Sequence, residues 1–254
     1  MEKRNDAQIY ILAHKPVPYG IYDNFLYTPL QVGAGDRFLD LCEWDEEPNM
    51  NEWNGIYAET SGTYFIWKYC HPAKYKGQCQ YRRRLTLPEN TDFDEIFEKV
   101  DVIAAMPGKT SMSLYEQYAL YHSRKDIEEI ENIVKSLYPD YAEDFDNYIV
   151  RGDILFYSNS FILRSEDYDK YCEWLFNVLG EFCRRRNWDT PDKARKDIKY
   201  NIKKGTRRNT RGINYQQQVC GFLSERLWTL YLRHNFADER IMCLKYEKFE
   251  GLEL

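Results

Sequence analysis

Residues 54–85 read NGIYAETSGTYFIWKYCHPAKYKGQCQYRRRL, and this stretch decides the fold. Its first half, 54–69, has no proline and follows a polar run (Asn49, Asn51, Asn54) able to cap a helix, so a helix is predicted there. On a helical wheel Tyr57, Ser61, Tyr64, Phe65 and Lys68 share one side, and Ile56, Thr60 and Trp67 another. Apolar groups nearly all round predict burial on more than one face. The second half, 76–85, reads as a strand ending in Arg82, Arg83 and Arg84. A helix carrying Lys68, followed by a strand that delivers arginines, outlines an anion site. The alternative is that Lys68 extends its stem to water and the arginines form a solvated edge.

The bulk properties frame this core. The 254 residues are 43% hydrophobic and 16% aromatic, with 22 tyrosines, enough to fill a sizeable core in a single domain. No apolar run approaches a membrane span, and the apolar stretch near the N-terminus is too short for a signal peptide. Seven cysteines without CxxC spacing read as reduced, buried thiols rather than a disulfide frame or zinc site, and the four histidines show no ligand spacing. The net charge of −6 is unevenly spread: residues 184–211 hold twelve Lys/Arg against three Asp, which is +9 and leaves −15 elsewhere. Such asymmetry points to an anionic partner or to a mobile charged loop.

Outward from residues 54–85, short apolar runs at 8–13, 100–105, 154–164 and 241–246 read as strands. Helices are predicted at 111–122, 125–137, 165–186 and 215–234, the first with a Ser113/Glu116 capping box and the third capped by Ser165. Strands alternating with helices indicate an α/β layer fold with a mainly parallel sheet. His14 and Lys15 follow the first strand at its carboxyl end, where ligands sit in open α/β sheets. Ser158, Asn159 and Ser160 interrupt an apolar strand and need partners, which sugar hydroxyls can supply. Arg226 falls in an apolar helical stripe and must be paired or bind something. Three DxD triplets (Asp92/Asp94, Asp144/Asp146, Asp167/Asp169) recur in an acidic chain, so a divalent ion, Mn or Mg, is not favoured at any of them. Residues 16–36 read as a loop. No GxGxxG, P-loop or GxSxG motif is present, which disfavours dinucleotide redox enzymes, P-loop ATPases and serine hydrolases.

Several motifs in order resemble the bacterial galactofuranosyltransferase domains of capsule, exopolysaccharide and O-antigen synthesis, long catalogued as a domain of unknown function. They are the strand ending in His14-Lys15, the PLQVGA loop from Pro29 to Ala34 and the ExTGxYWxWK-like helix from Glu59 to Lys68. Next come Gln80-Tyr81-Arg82-Arg83 for the family's HYRR strand, with Gln80 where the family usually has His, and Glu116-Gln117-Tyr118 with His122. The strand at Asn159, YCEWLF from Tyr171 to Phe176, and GFLSERL from Gly221 to Leu227 complete the set.

The resemblance implies a GT-A-like nucleotide-sugar fold that transfers galactofuranose from UDP-galactofuranose, with inversion. It implies a donor site drawn from His14, Lys15, Glu59, Tyr64, Trp67, Lys68, Gln80, Tyr81, Arg82, Arg83, Asn159 and Arg226. The QYRR strand would stand where other GT-A enzymes place a metal-binding DxD, its arginines offsetting diphosphate charge. In a regular strand Arg82 and Arg83 face opposite ways, so only one meets the donor unless the strand turns there. A carboxylate must take the acceptor's proton: Glu225 is the candidate and Asp153 the alternative, and either also reads as a surface charge. The implied acceptor is a lipid-linked saccharide, with the 184–211 segment at an anionic membrane surface on the cytoplasmic side. Two other classes stand beside this one: a non-catalytic sugar-nucleotide or glycan-binding module, prompted by Gln80, and nucleic-acid binding through the basic segment with Trp188 and Tyr200. The acidic remainder and the lack of a recognition motif argue against nucleic acid.

Overall fold

The structure, a computed structural model, describes residues 6–16, 26–70, 72–207 and 211–248. Part of the loop expected over 16–36 lies outside them, as do His71 and Arg208.

An eight-stranded sheet forms the centre. β1 (Ala7–Ala13) pairs parallel with β2 (Tyr27–Gln31) and with β3 (Tyr75–Gln80). β3 continues through antiparallel β8 (Phe161–Arg164) to β5 (Val102–Ala105) and then, parallel, to β9 (Ile241–Leu244). β4 (Arg83–Leu85) folds back from β3 and pairs with β10 (Tyr246–Lys248). Only β4 and β8 run against the other strands, so the sheet is mostly parallel in direction. A separate small pair joins β6 (Gly108–Lys109) to β7 (Ile154–Leu155).

Period-two alternation sorts each strand between two cores. Tyr10 and Leu12, Val102 and Ala104, and Phe161 and Leu163 enter the larger core. Ile9 and Ile11, Ile103 and Ala105, and Ile162 enter the smaller one, covered by α3 (Phe93–Lys99). The larger core lies under α1 (Asn54–Tyr57), α2 (Thr60–Tyr69), α4 (Leu114–Tyr121), α5 (Arg124–Leu137) and α6 (Ala142–Phe145). It is completed by α7 (Ser165–Arg185), α8 (Pro191–Lys203) and, beyond the short α9 (Ile213–Gln217), α10 (Val219–Asn235). None of the described helices is long and apolar enough to cross a membrane.

Local chemistry redraws several expected elements. The helix over 54–69 is broken at Ala58, which adopts φ 48°, unfavourable for a residue with a Cβ. The break is held by α10: a Cβ on Gly221 would stand 2.7 Å from Ala58 Cβ, so only glycine permits this approach. The strand over 76–85 stops at Gln80, turns at Tyr81–Arg82 and returns as β4. The run 154–164 is interrupted at Tyr157–Asn159, where Ser158 (φ 64°) and Asn159 (φ 44°) are left-handed. Gln218 separates α9 from α10, dividing the helix expected over 215–234. Ser113 does cap α4, accepting from the Glu116 amide, whereas Ser165 donates to the Ala73 carbonyl and Arg164 stands at the cap of α7.

Helix α8 takes up 13 residues of the basic segment. Pro191 opens α8 after Thr190, whose side chain accepts from the Lys193 amide. Ala194 and Ile198 face inward. The fully buried Asp126 anchors the segment, accepting from Arg207 and, at 2.9 Å, from Arg186.

Candidate active site

The site forms where β1 and β3 end together. Tyr81 N donates to Leu12 O at 3.1 Å, so the two strand ends are in register. His14 and Lys15 leave β1 beside the turn that leaves β3, and the His14 and Tyr81 rings meet edge to face at 5.2 Å. His14 stays solvent-exposed, yet crowding by protein, then Arg82, then Lys15, lowers its pKa below 6.5. Arg82 lies against the Tyr81 ring at 5.2 Å and Arg83 against the Tyr246 ring at 5.8 Å. Neither has a carboxylate partner among the described residues, whereas the buried Arg84 is tied to Glu247 at 2.6 Å. Because the strand ends and turns, Arg82 and Arg83 are released from the opposite-face constraint of a regular strand.

A second group stands behind the arginines, assembled from α2, the 157–159 turn and α10. Thr60 Oγ1 donates to Ser224 Oγ at 2.9 Å, and Ser224 Oγ donates to Gly221 O at 2.7 Å. Asn159 Nδ2 donates to Ser224 Oγ at 2.8 Å and to Glu59 Oε1 at 3.2 Å. Glu225 accepts from Ser158 N at 2.7 Å through one oxygen and from Arg226 Nη1 at 3.1 Å through the other. Burial first, and the neighbouring Glu225 charge second, raise the Glu59 pKa from 4.5 to about 7, against hydrogen bonds from its own amide, Asn159 and Gln80. Tyr246 bridges the groups: its hydroxyl donates to Tyr157 O and pairs with Ser158 Oγ, while its ring meets Arg83. The face of β3 toward the helices is polar throughout: Lys76 pairs with Asp169, Gln78 holds Asn159 O and Tyr168, and Gln80 reaches Glu59. Asn159 Oδ1 and Tyr81 Oη are buried here without a partner.

The structure therefore brings together His14, Lys15, Glu59, Gln80, Tyr81, Arg82, Arg83, Asn159 and Glu225. It does not bring Lys68, Tyr64 or Trp67 to them. α2 runs opposite to β1 and β3: Gly62 packs on Leu12 and Val32 at the strand ends, while Cys70 at the helix end bonds Gln8 at the start of β1. Lys68 is thus about nine residues, or ~13 Å, along the helix from Glu59. There it is exposed over the Trp67 ring, which stacks on Phe176 of α7. Arg226 is near the cluster but occupied, bonding Glu225, Phe222 O and Gln117 over the Tyr118 ring, with only Nε unpartnered. Asp153 lies away at the β6–β7 pair, 3.3 Å from Lys109. His122 is packed 4.2 Å from the Phe222 ring, with burial foremost pushing its pKa down to about 3.

Each DxD triplet has structural work. Asp92 caps α3, Asp94 pairs with Lys74, Asp144 with His234, Asp146 with Lys135, Asp167 with Lys170 and Asp169 with Lys76. Among the described residues no three His, Cys, Asp or Glu side chains cluster as a metal site. The seven cysteines are free thiols, five of them buried.

Sequence reasoning left Thr60, Tyr157, Ser224 and Tyr246 unassigned. For Thr60 and Ser224 the available signal was a small hydroxyl within the Glu59–Lys68 and Gly221–Leu227 motifs; for the tyrosines there was none.

Comparison with known proteins gives one structural likeness and one family. The bifunctional glycosyltransferase WbbM, in its apo structure, superposes with a TM-score of 0.73 at 20% identity over 97% of this chain. This chain spans 46% of that one, less than half its length. The shared architecture is a GT-A-like α/β fold. No curated protein matches. A family model described as a domain of unknown function, DUF4422, matches residues 8–236. The chain is a member of the DUF4422 family.

Proposed function

We propose that this protein is a glycosyltransferase that moves galactofuranose from UDP-galactofuranose, with inversion, onto a lipid-linked glycan. One observation carries the reading: two arginines without carboxylate partners among the described residues stand at a strand end, beside a half-buried carboxylate pair, in a fold shared with a glycosyltransferase. Arg82 and Arg83 would meet the diphosphate, where a positive charge lowers the cost of the departing UDP. His14 and Lys15 stand beside the same turn. Asn159 stands behind them, its Nδ2 holding Glu59 and Ser224 in place. The acceptor hydroxyl attacks the anomeric carbon from the side opposite UDP and gives its proton to a carboxylate.

α8 supports the membrane side of the reading. Lys196, Lys199, Lys203 and Lys204 are exposed without carboxylate partners among the described residues, around a Tyr200 that is 56% exposed. Such a face suits anionic headgroups.

The test is UDP release from a panel of UDP-sugars with a lipid-linked saccharide mixture. UDP-galactofuranose is expected to be consumed, and Arg82→Ala and Arg83→Ala each to slow release at least tenfold. Full activity in both variants refutes the arginine role; turnover of a different UDP-sugar alone refutes the donor.

A further inference from the structure

Within that reading of the site, and resting on it, we infer that Glu59 is the catalytic base that takes the acceptor's proton, and that Glu225 is a positioning residue beside it. The two carboxylates differ in what they have left to offer. Both Glu225 oxygens already accept strong donors, Ser158 N at 2.7 Å and Arg226 Nη1 at 3.1 Å. Those bonds fix the left-handed turn at 158–159 to α10. Glu59 has one well-formed hydrogen bond, from Asn159 Nδ2 at a longer 3.2 Å to one oxygen, beside looser contacts with its own amide and Gln80, and like Glu225 it is half-buried rather than sealed. It stands at the N-cap of α2 just after Ala58 (φ 48°), which Gly221 approaches closely, so its backbone is held in place beside α10.

The groups that face Glu59 come from every packed element. α10 supplies Glu225 and Ser224, β3 supplies Gln80, the 157–159 turn supplies Asn159, and α7 supplies Tyr171. Glu225 is the charged neighbour that raises its proton affinity, and burial does more. A carboxylate whose pKa lies at about 7 is half ionised at neutral pH and holds a proton well once it has taken one.

The step balances without another reactant. A bond forms between the acceptor oxygen and the anomeric carbon, and the bond from that carbon to the diphosphate oxygen breaks. Its electron pair leaves with UDP toward Arg82 and Arg83. The acceptor's proton passes to Glu59 and from there to solvent.

The test compares Glu59→Gln, Glu59→Asp and Glu225→Gln in turnover, donor binding and thermal melting. For Glu59→Gln, kcat should fall at least ~100-fold, as for the loss of a general base. UDP-sugar binding, read by the donor-induced melting shift, should stay within about threefold. Because ionised Glu59 is disfavoured in the fold, Glu59→Gln should also melt no lower than the wild type at pH 8, an outcome that a merely structural role cannot give. Glu59→Asp should recover part of kcat. Glu225→Gln should move the acid limb of the kcat profile, expected near pH 7 in the wild type, toward lower pH. Wild-type turnover in Glu59→Gln, or loss of turnover only in Glu225→Gln, overturns the assignment. A wild type that binds no nucleotide sugar refutes the site reading beneath it, and the base assignment falls with it.

Discussion

Replacing Asn159 by alanine removes three things at once. Its backbone sits at φ 44°, a left-handed value that asparagine tolerates and alanine does not, at roughly 1–2 kcal/mol. Its Nδ2 holds Ser224 at 2.8 Å and Glu59 at 3.2 Å, each worth about 1 kcal/mol net. Against these, losing the unpartnered buried Oδ1 relieves about 1 kcal/mol of desolvation. The balance is a loss of ~2–3 kcal/mol, or a Tm lower by roughly 5–10 °C for a chain of this size. Asn159→Gly loses the same hydrogen bonds but accepts the backbone angle, so it should recover about 1 kcal/mol of the alanine loss. Function should respond in a second, separate way. Asn159 donates to Glu59 and so favours its ionised form; without that bond Glu59 holds its proton to higher pH, and the acid limb of turnover moves upward. Urea unfolding measures the first effect and the pH profile of UDP release the second. A stability loss under ~0.5 kcal/mol together with an unmoved limb would refute the network drawn around Asn159.

Other consequences follow from the same contacts. Asp126→Asn leaves Arg207 and Arg186 without a counter-charge in a buried setting and should cost ~3–5 kcal/mol in denaturant unfolding, loosening the 184–207 segment from α5. Glu43 is fully buried, accepts Gly33 N at 2.6 Å, and burial raises its pKa from 4.5 to about 6. A raised carboxyl pKa means that its stabilising contribution is present below 4.5 and is lost as pH rises through about 6, so Glu43→Gln should stabilise by ~1–2 kcal/mol at pH 7.5 and by little at pH 4.5. Pelleting with anionic vesicles should occur at low salt and weaken at physiological salt, and changing Lys196, Lys199, Lys203 and Lys204 together to Ser should abolish it; no pelleting by the wild type at either salt contradicts the membrane face of α8.

Much of this fold could be read in advance because it rests on local pattern. The apolar runs of β1, β5 and β9 alternate between two cores, and the Ser113 cap and the acidic first turn of α7 are short-range signals. The arginines were legible as a charged end to an inner strand, but the strand expected to run to Leu85 stops at Gln80, and the turn at 81–82 was not read. What could not be read depends on chain direction or distant partners. Lys68 shares a helical face with Ser61, yet α2 runs back along β1, which carries Lys68 to the other end of the sheet. Arg226 finds Gln117 from 109 residues away, and Asn159 finds Glu59 from 100. The Ala58 kink has no sequence signal of its own, since its cause is the close approach of Gly221.

The central claim is that Arg82 and Arg83 hold the donor's diphosphate, and calorimetric titration of UDP measures it most directly. Each of these half-buried arginines should contribute about 1.5 kcal/mol as a charge-assisted contact, so Arg82→Ala and Arg83→Ala should each weaken UDP binding roughly tenfold. The double variant should weaken it about a hundredfold, and Lys68→Ala should leave it unchanged. Equal affinity in the wild type and the double variant, or a loss at Lys68 alone, contradicts the account.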